Sequence, residues 1–507
     1  MRDTLVRAKT IWTLAPTRPR VEAVGICDGQ IAALGSVSEV RSALASPTEL
    51  DLGGATVVPG LRDAHGHLLL LGQQMREVDL AGTRTSEEIA QRVAARAKSL
   101  PAGAWMRGRG WDQNLFEKGE FPDRRALDRL VPGHPVFLER IDGHATLANA
   151  RALTIAGLDR RAGDPIGGRI LRDPGGEPTG VLVDAAMELL RSHIPAFTRS
   201  EVESMLEDAA RRCASVGLVG VHDAGTDRDV WDAMQRLVAR EKLPLRVYCM
   251  ARFGEPRFAE TLERGPETGD RLTQRCVKLF LDGALGSRGA ALFEDYCDEP
   301  GNRGLLTGPA DLAGELTKLM AAGFQVACHA IGDRANAWAL DSIEKARAKS
   351  GRSDLRPRIE HAQVLRAGDI ARFASLGVIA SVQPTHAQSD AGWVATRLGA
   401  QRMQTAYAIG KLRDAGARLA LGSDFPIEDP DPLRGLHAAC DPGGLSPLQA
   451  LEGFTLGAAF SAFEEERAGS LAVGMRADLT AFDRDVLSEQ GARVVLTMLA
   501  GETTFGA

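Results

Sequence analysis

Two histidines one residue apart, His65 and His67, lie in an otherwise apolar run, VVPGLRDAHGHLLLLG, from Val57 to Gly72. In an extended strand, residues i and i+2 project from one face, so the two imidazoles would stand side by side. Two neutral imidazoles on a rigid face make half of a metal site; a pair of hydrogen-bonded core histidines is the plainer alternative. Ligand-type residues recur within or just after later apolar runs: His222, Lys278, His329, His361, His386 and Asp424.

Those runs are the elements that must position them. After the first come GLVGVHDAG, PLRVYCMARF, CVKLFLDGALG, FQVACHAIGD, PRIEHAQ, GVIASVQPTH and RLALGSDFP, eight strand candidates in all. Helical patterns such as SEVESMLEDAARRCASV and DLAGELTKLMAAG lie between them. Eight βα units predict a TIM-type barrel, with the active site at the carboxyl ends of the strands. The segment from Ala81 to Phe197 is too long for a loop and reads as an inserted α/β subdomain, expected to lean over that mouth. Both chain ends are β-rich, with DGQ a hairpin turn near the start, so the termini are expected to build one small domain. The predicted organisation is a β-sandwich from residues 1–57 and 456–507, a barrel over 58–455 and the insertion over 81–197.

Composition narrows the function classes. Hydrophobic residues make up 44% of the 507 and charged residues 25%, as in a globular protein. A net charge of -6 argues against broad nucleic-acid or anionic-membrane binding. No apolar run approaches the length of a membrane span, and the first twenty residues lack the apolar core of a secretory signal. Seven scattered cysteines without a C-x-x-C pair suit a reducing compartment, so the expected location is the cytoplasm. Nothing in the sequence fixes an oligomeric state; a homodimer is taken as the expectation.

In order along the chain, PGLRDAHGH, VKLFLDGALGSRGAAL, CHAIGDRAN, RIEHAQ, GSDFP and the C-terminal GSLAVGMRADLTAFD resemble the amidohydrolase superfamily. More narrowly, they resemble its amidohydrolase-3 branch, the YtcJ-like and N-substituted formamide deformylase-like proteins. The resemblance covers essentially the whole chain. It implies a metal-dependent hydrolase barrel with a binuclear centre. His65 and His67 would hold one divalent ion, His329 and His361 the second, and Asp424 would complete the first site. Zinc is the first expectation, with iron, manganese or nickel also suited to imidazole and carboxylate ligands. Lys278 cannot ligate as an ammonium. Its apolar flanks would lower its pKa, and the free amine could add carbon dioxide to become a bridging carbamate.

The implied reaction is hydrolysis of a non-peptide carbon–nitrogen bond by metal-activated hydroxide, with Asp424 as the proton shuttle. A linear N-acyl or N-formyl amine is the favoured small-molecule substrate. A cyclic-amide hydrolase or a deaminase on the same scaffold is the alternative, and a catalytically silent scaffold protein a third. Lys278 favours the binuclear hydrolase, because mononuclear deaminases resemble the set without it. Each residue also has a plainer reading. Lys278 could pair with Asp282 or another carboxylate, Asp424 could cap a turn, and Trp111 could be a core indole rather than a pocket wall. His144, His222, His386 and Arg288 are candidate substrate contacts, with structural support the alternative for His222 and His386.

Overall fold

The computed structural model describes residues 3–141, 143–352, 354–441 and 443–506. Eight parallel strands follow one another in chain order: Leu61–Gly66, Leu218–Thr226, Arg246–Arg252, Leu272–Phe280, Gln325–Ala330, Arg358–His361, Ile379–Val382 and Arg418–Leu421. Each is hydrogen-bonded to the next. The ends meet just beyond the eighth strand, where Asp424 N donates to His65 O at 2.7 Å and His67 N to Phe425 O at 2.8 Å. The eight-unit reading of the sequence therefore holds, and the fold is a TIM-type barrel with additional domains.

Helices between the strands form where the apolar spacing predicts. In Leu312–Ala321, the Asp311 side chain caps the first turn by accepting from Gly314 N, and Leu312, Leu316, Leu319 and Met320 form the buried stripe. Helix Arg199–Ser215 buries Met205, Leu206, Ala209, Ala210 and Cys213 in the same way.

The two chain ends share one eight-stranded sheet. Its order is Glu502–Gly506, Val494–Leu499, Leu479–Phe482, Thr56–Pro59, Thr4–Trp12, Arg20–Cys27 and Gln30–Gly35, with Thr48–Asp51 also on Thr4–Trp12. Asp28 and Gly29, both at positive φ, make the two-residue turn of the DGQ hairpin. Leu479–Phe482 runs antiparallel to Thr56–Pro59 and so joins C-terminal to N-terminal sequence. Charged groups tie this sheet to the barrel: Arg246 pairs with Asp478, and Glu464 takes both Arg62 and Arg476.

Residues Gly72–Glu201 form a second compact unit. Its six-stranded sheet has the order Gly168–Arg172, Pro178–Asp184, Ala145–Ala148, Val136–Arg140, Met106–Trp111 and Val78–Asp79. Helices Ser86–Ala97, Arg125–Leu130, Ala150–Ile155 and Ala186–Arg191 belong to the same unit. No helix among the described residues is long and apolar enough to cross a membrane.

Candidate metal centre

The first barrel strand delivers His65, and the chain just past it delivers His67. Asp63 locks this segment to the loop after strand eight. Its carboxylate accepts from His65 N, Ser423 N and Ser423 Oγ, the last at 2.6 Å. Burial pushes the Asp63 carboxyl up to about 7. Beside it, Asp424 sits at φ 62°, a left-handed conformation that aspartate tolerates better than most residues. Its Oδ1 lies 3.0 Å from His67 Nε2 and 3.5 Å from His65 Nε2.

Lys278 reaches the same point from strand four. It is fully buried, and its Nζ stands 3.4 Å from His65 Nε2. No carboxylate among the described residues pairs with it. Asp282, the sequence candidate for that role, instead accepts backbone N–H groups of Ala291, Ile331 and Gly332 at 2.8–3.0 Å. Burial pushes the Lys278 amine down to about 8, against the pull of Glu360 and Asp424.

Strands five and six bring His329 and His361 into the cluster. Their ring centroids are 4.5 Å apart, and His361 lies 4.8 Å from His65. His361 has φ 76°, a strained conformation that breaks strand alternation and lets it face the same site as its neighbour Glu360. His386, in the short helix after strand seven, puts its Nε2 3.8 Å from Asp424 Oδ2.

Hydrogen bonds fix which nitrogen each imidazole presents. Glu360 Oε2 is 2.5 Å from His65 Nδ1; a carboxylate can only accept there, so Nδ1 carries the proton and Nε2 is left bare toward Lys278 and Asp424. Gln383 Oε1 orients His361 through Nδ1 at 2.8 Å in the same way. Burial holds His65 and His361 well below the usual histidine range and His329 down to about 3, so all three are neutral at physiological pH. His329 Nε2 and His386 Nε2 are buried and make no hydrogen bond among the described residues. Neutral imidazoles, bare nitrogens and an adjacent carboxylate are the donor set a divalent cation requires. His65, His67 and Asp424 converge closely enough to share one ion, as do His361, His386 and Asp424.

Sequence reasoning did not single out Glu360 or Gln383, or Arg358, which holds Glu360 through its Nε at 2.5 Å. Four other candidates stand elsewhere. His222 is not at a strand end: it lies mid-strand and buried, where its Nδ1 accepts from Arg358 Nη1 at 3.1 Å. Trp111 is fully buried in the second unit, and its indole N–H donates to Leu138 O, making it a core residue rather than a pocket wall. Arg288 is committed to Asp298 at 2.8 Å and Glu299 at 3.2 Å. His144 is an exposed residue of the second unit with Nδ1 2.9 Å from Asp184 Oδ1.

Residues 48–505 match the sequence profile described as the amidohydrolase family. The chain belongs to that family. Relatives include the Protein LONG AFTER FAR-RED 3 of Arabidopsis thaliana, 36% identical over 98% of this chain and 90% of its own length. An N-substituted formamide deformylase of Arthrobacter pascens is 29% identical over 96% of this chain and 94% of its own. Among solved structures, a metal-dependent hydrolase of Pyrococcus furiosus superposes with a TM-score of 0.81 at 31% identity, covering 96% of this chain and all of the other. Membership in this family makes the chain a hydrolase, and barrels of this type carry their active sites at the carboxyl ends of the strands.

Proposed function

We propose that the protein hydrolyses the carbon–nitrogen bond of a linear amide, an N-acyl or N-formyl amine, at a centre of two divalent ions. The observation that carries this reading is Lys278, a fully buried amine with no paired carboxylate among the described residues, standing 3.4 Å from a bare histidine nitrogen. Deprotonation exposes its lone pair to carbon dioxide. An N–C bond would then form with loss of one proton, giving an anionic carbamate that could supply oxygen ligands. His65, His67 and Asp424 would hold one ion and His329 and His361 the other, with Lys278 between them. When bound, such ions acidify water toward neutrality and polarise a carbonyl oxygen.

The chain's own groups do the rest. Glu360 and Gln383 keep two imidazoles in the tautomer that presents Nε2. Asp424 takes a proton from the attacking water and returns it to the departing nitrogen, so that an amine leaves rather than an amide anion. The name of the deformylase relative supports an N-acylated amine as substrate. The full complement of predicted ligand residues speaks against a silent scaffold. The test is metal analysis of the purified chain followed by a screen of N-formyl, N-acetyl and cyclic amides. Stoichiometric metal with turnover of linear amides is the expected result; turnover confined to cyclic amides or to amino-substituted rings would redirect the reading.

A further inference from the structure

Strand seven, Ile379–Val382, runs directly into the short helix Pro384–Ser389, whose first residue, Pro384, fixes the entry turn. Two side chains of this turn reach the centre: Gln383, which holds His361 Nδ1 at 2.8 Å, and His386. The His361 and His386 rings are nearly parallel, 17° apart with centroids at 6.0 Å. His386 Nε2 is buried and makes no hydrogen bond among the described residues. Buried side-chain nitrogens are nearly always satisfied, so a bare one beside neutral imidazoles points to something that binds it.

The carboxylates around His386 have separate duties. Asp441 lines the same cavity but accepts from Gln388 Nε2 at 2.9 Å. Asp390 takes the Tyr407 hydroxyl at 2.6 Å and Gln363 Nε2 at 2.9 Å. Among the described residues, Asp424 Oδ2 is the carboxylate oxygen that approaches His386 Nε2, at 3.8 Å. Asp424 Oδ1 serves the other side, 3.0 Å from His67 Nε2 and 3.5 Å from His65 Nε2. Two donors on one tetrahedral zinc stand about 3.3–3.4 Å apart. The three observed spacings bracket that edge. His361, His386 and Asp424 thus form a three-donor group of their own, with ligand atoms within 4.8 Å of one another. His329 belongs to neither compact group; its Nε2 lies 3.5 Å from Asp282 Oδ1. We infer that His386 is a ligand of the ion that His361 holds, which brings strand seven into a centre otherwise built on strands one, four, five, six and eight. The inference deepens the two-ion reading and rests on it.

The test reads metal rather than turnover. The full chain, stripped of metal and reloaded with zinc at stoichiometric amounts, is crystallised, and anomalous scattering at the zinc edge locates the ions. An ion at about 2.0–2.1 Å from His386 Nε2, the zinc–imidazole bond length, is the expected result. Two ions with neither in reach of His386 would overturn the inference and leave the two-ion reading standing. A chain that holds no zinc, or one ion on His65 and His67 alone, would overturn both. In solution, His386→Ala should weaken one zinc site by more than about a hundredfold in competition with a chelator, beyond the about 10–100-fold that loss of an outer partner costs. His386→Glu returns an anionic donor near the same place and should recover part of that affinity. A histidine that only met substrate would leave both zinc affinities of His386→Ala unchanged, and that result would overturn the ligand. Zinc on His386 without turnover of any amide would strike the amide reading and leave the ligand standing.

Discussion

Glu360 shows how a neighbouring carboxylate sets which nitrogen a histidine presents. Its carboxylate holds the proton of His65 on Nδ1, and Arg358 holds the carboxylate. Glu360→Gln nearly preserves the shape but weakens that preference. Metal affinity, read by competition with a chelator, should fall about 10–100-fold. An unchanged affinity would remove Glu360 from the support of the centre. Asp424→Asn tests a different role. The amide keeps an oxygen near His67 but cannot carry the proton, so turnover should drop by about a hundredfold to ten-thousandfold, as measured by steady-state kinetics on metal-replete protein. Normal turnover would exclude Asp424 as the proton carrier.

At the scale of elements, a charged junction couples the barrel to the sheet built by the chain ends. Burial alone would raise the Glu464 carboxyl, but Arg62 and Arg476 hold it down to about 2. Its folded pKa thus lies below the unfolded value of about 4.3, so the stabilisation is fully present above that pH and is lost as pH falls through about 2. Denaturation midpoints should decline over this window, and Glu464→Gln should flatten the decline; an identical acid profile would show that the junction contributes nothing. Element spacing is also where the sequence was most legible. Strand period two and the rule that barrel strands end at one rim made His65, Lys278, His329, His361 and Asp424 readable as one set. Glu360 escaped because adjacent strand residues normally face opposite ways, and only the positive φ of His361 brings both to the site. Trp111 and Arg288 read as pocket residues because the groups that engage them, Leu138 O and the Asp298 carboxylate, are set by tertiary folding that local pattern does not reveal. His222 read as a strand-end residue, whereas strand two continues past it to Thr226.

At the scale of the whole molecule, the first and last strands of the chain depend on each other. Deleting residues 468–507 removes Leu479–Phe482, Val494–Leu499 and Glu502–Gly506, and strips Thr56–Pro59 of its antiparallel partner. The exposed edge should drive aggregation, so the truncated chain should be insoluble; a soluble truncation with cooperative unfolding would show the two ends to be independent. Metal stoichiometry is likewise a property of the whole chain, and it bears on the central claim, that Lys278 joins two ions into one hydrolytic centre. If Lys278 were only a structural lysine, Lys278→Ala would keep its metal once folded. The decisive measurement is therefore metal per chain, with amide turnover, in well-folded Lys278→Ala beside the unaltered protein. The account predicts two ions falling to about one, with little hydrolysis left. A full metal complement with normal turnover would contradict it.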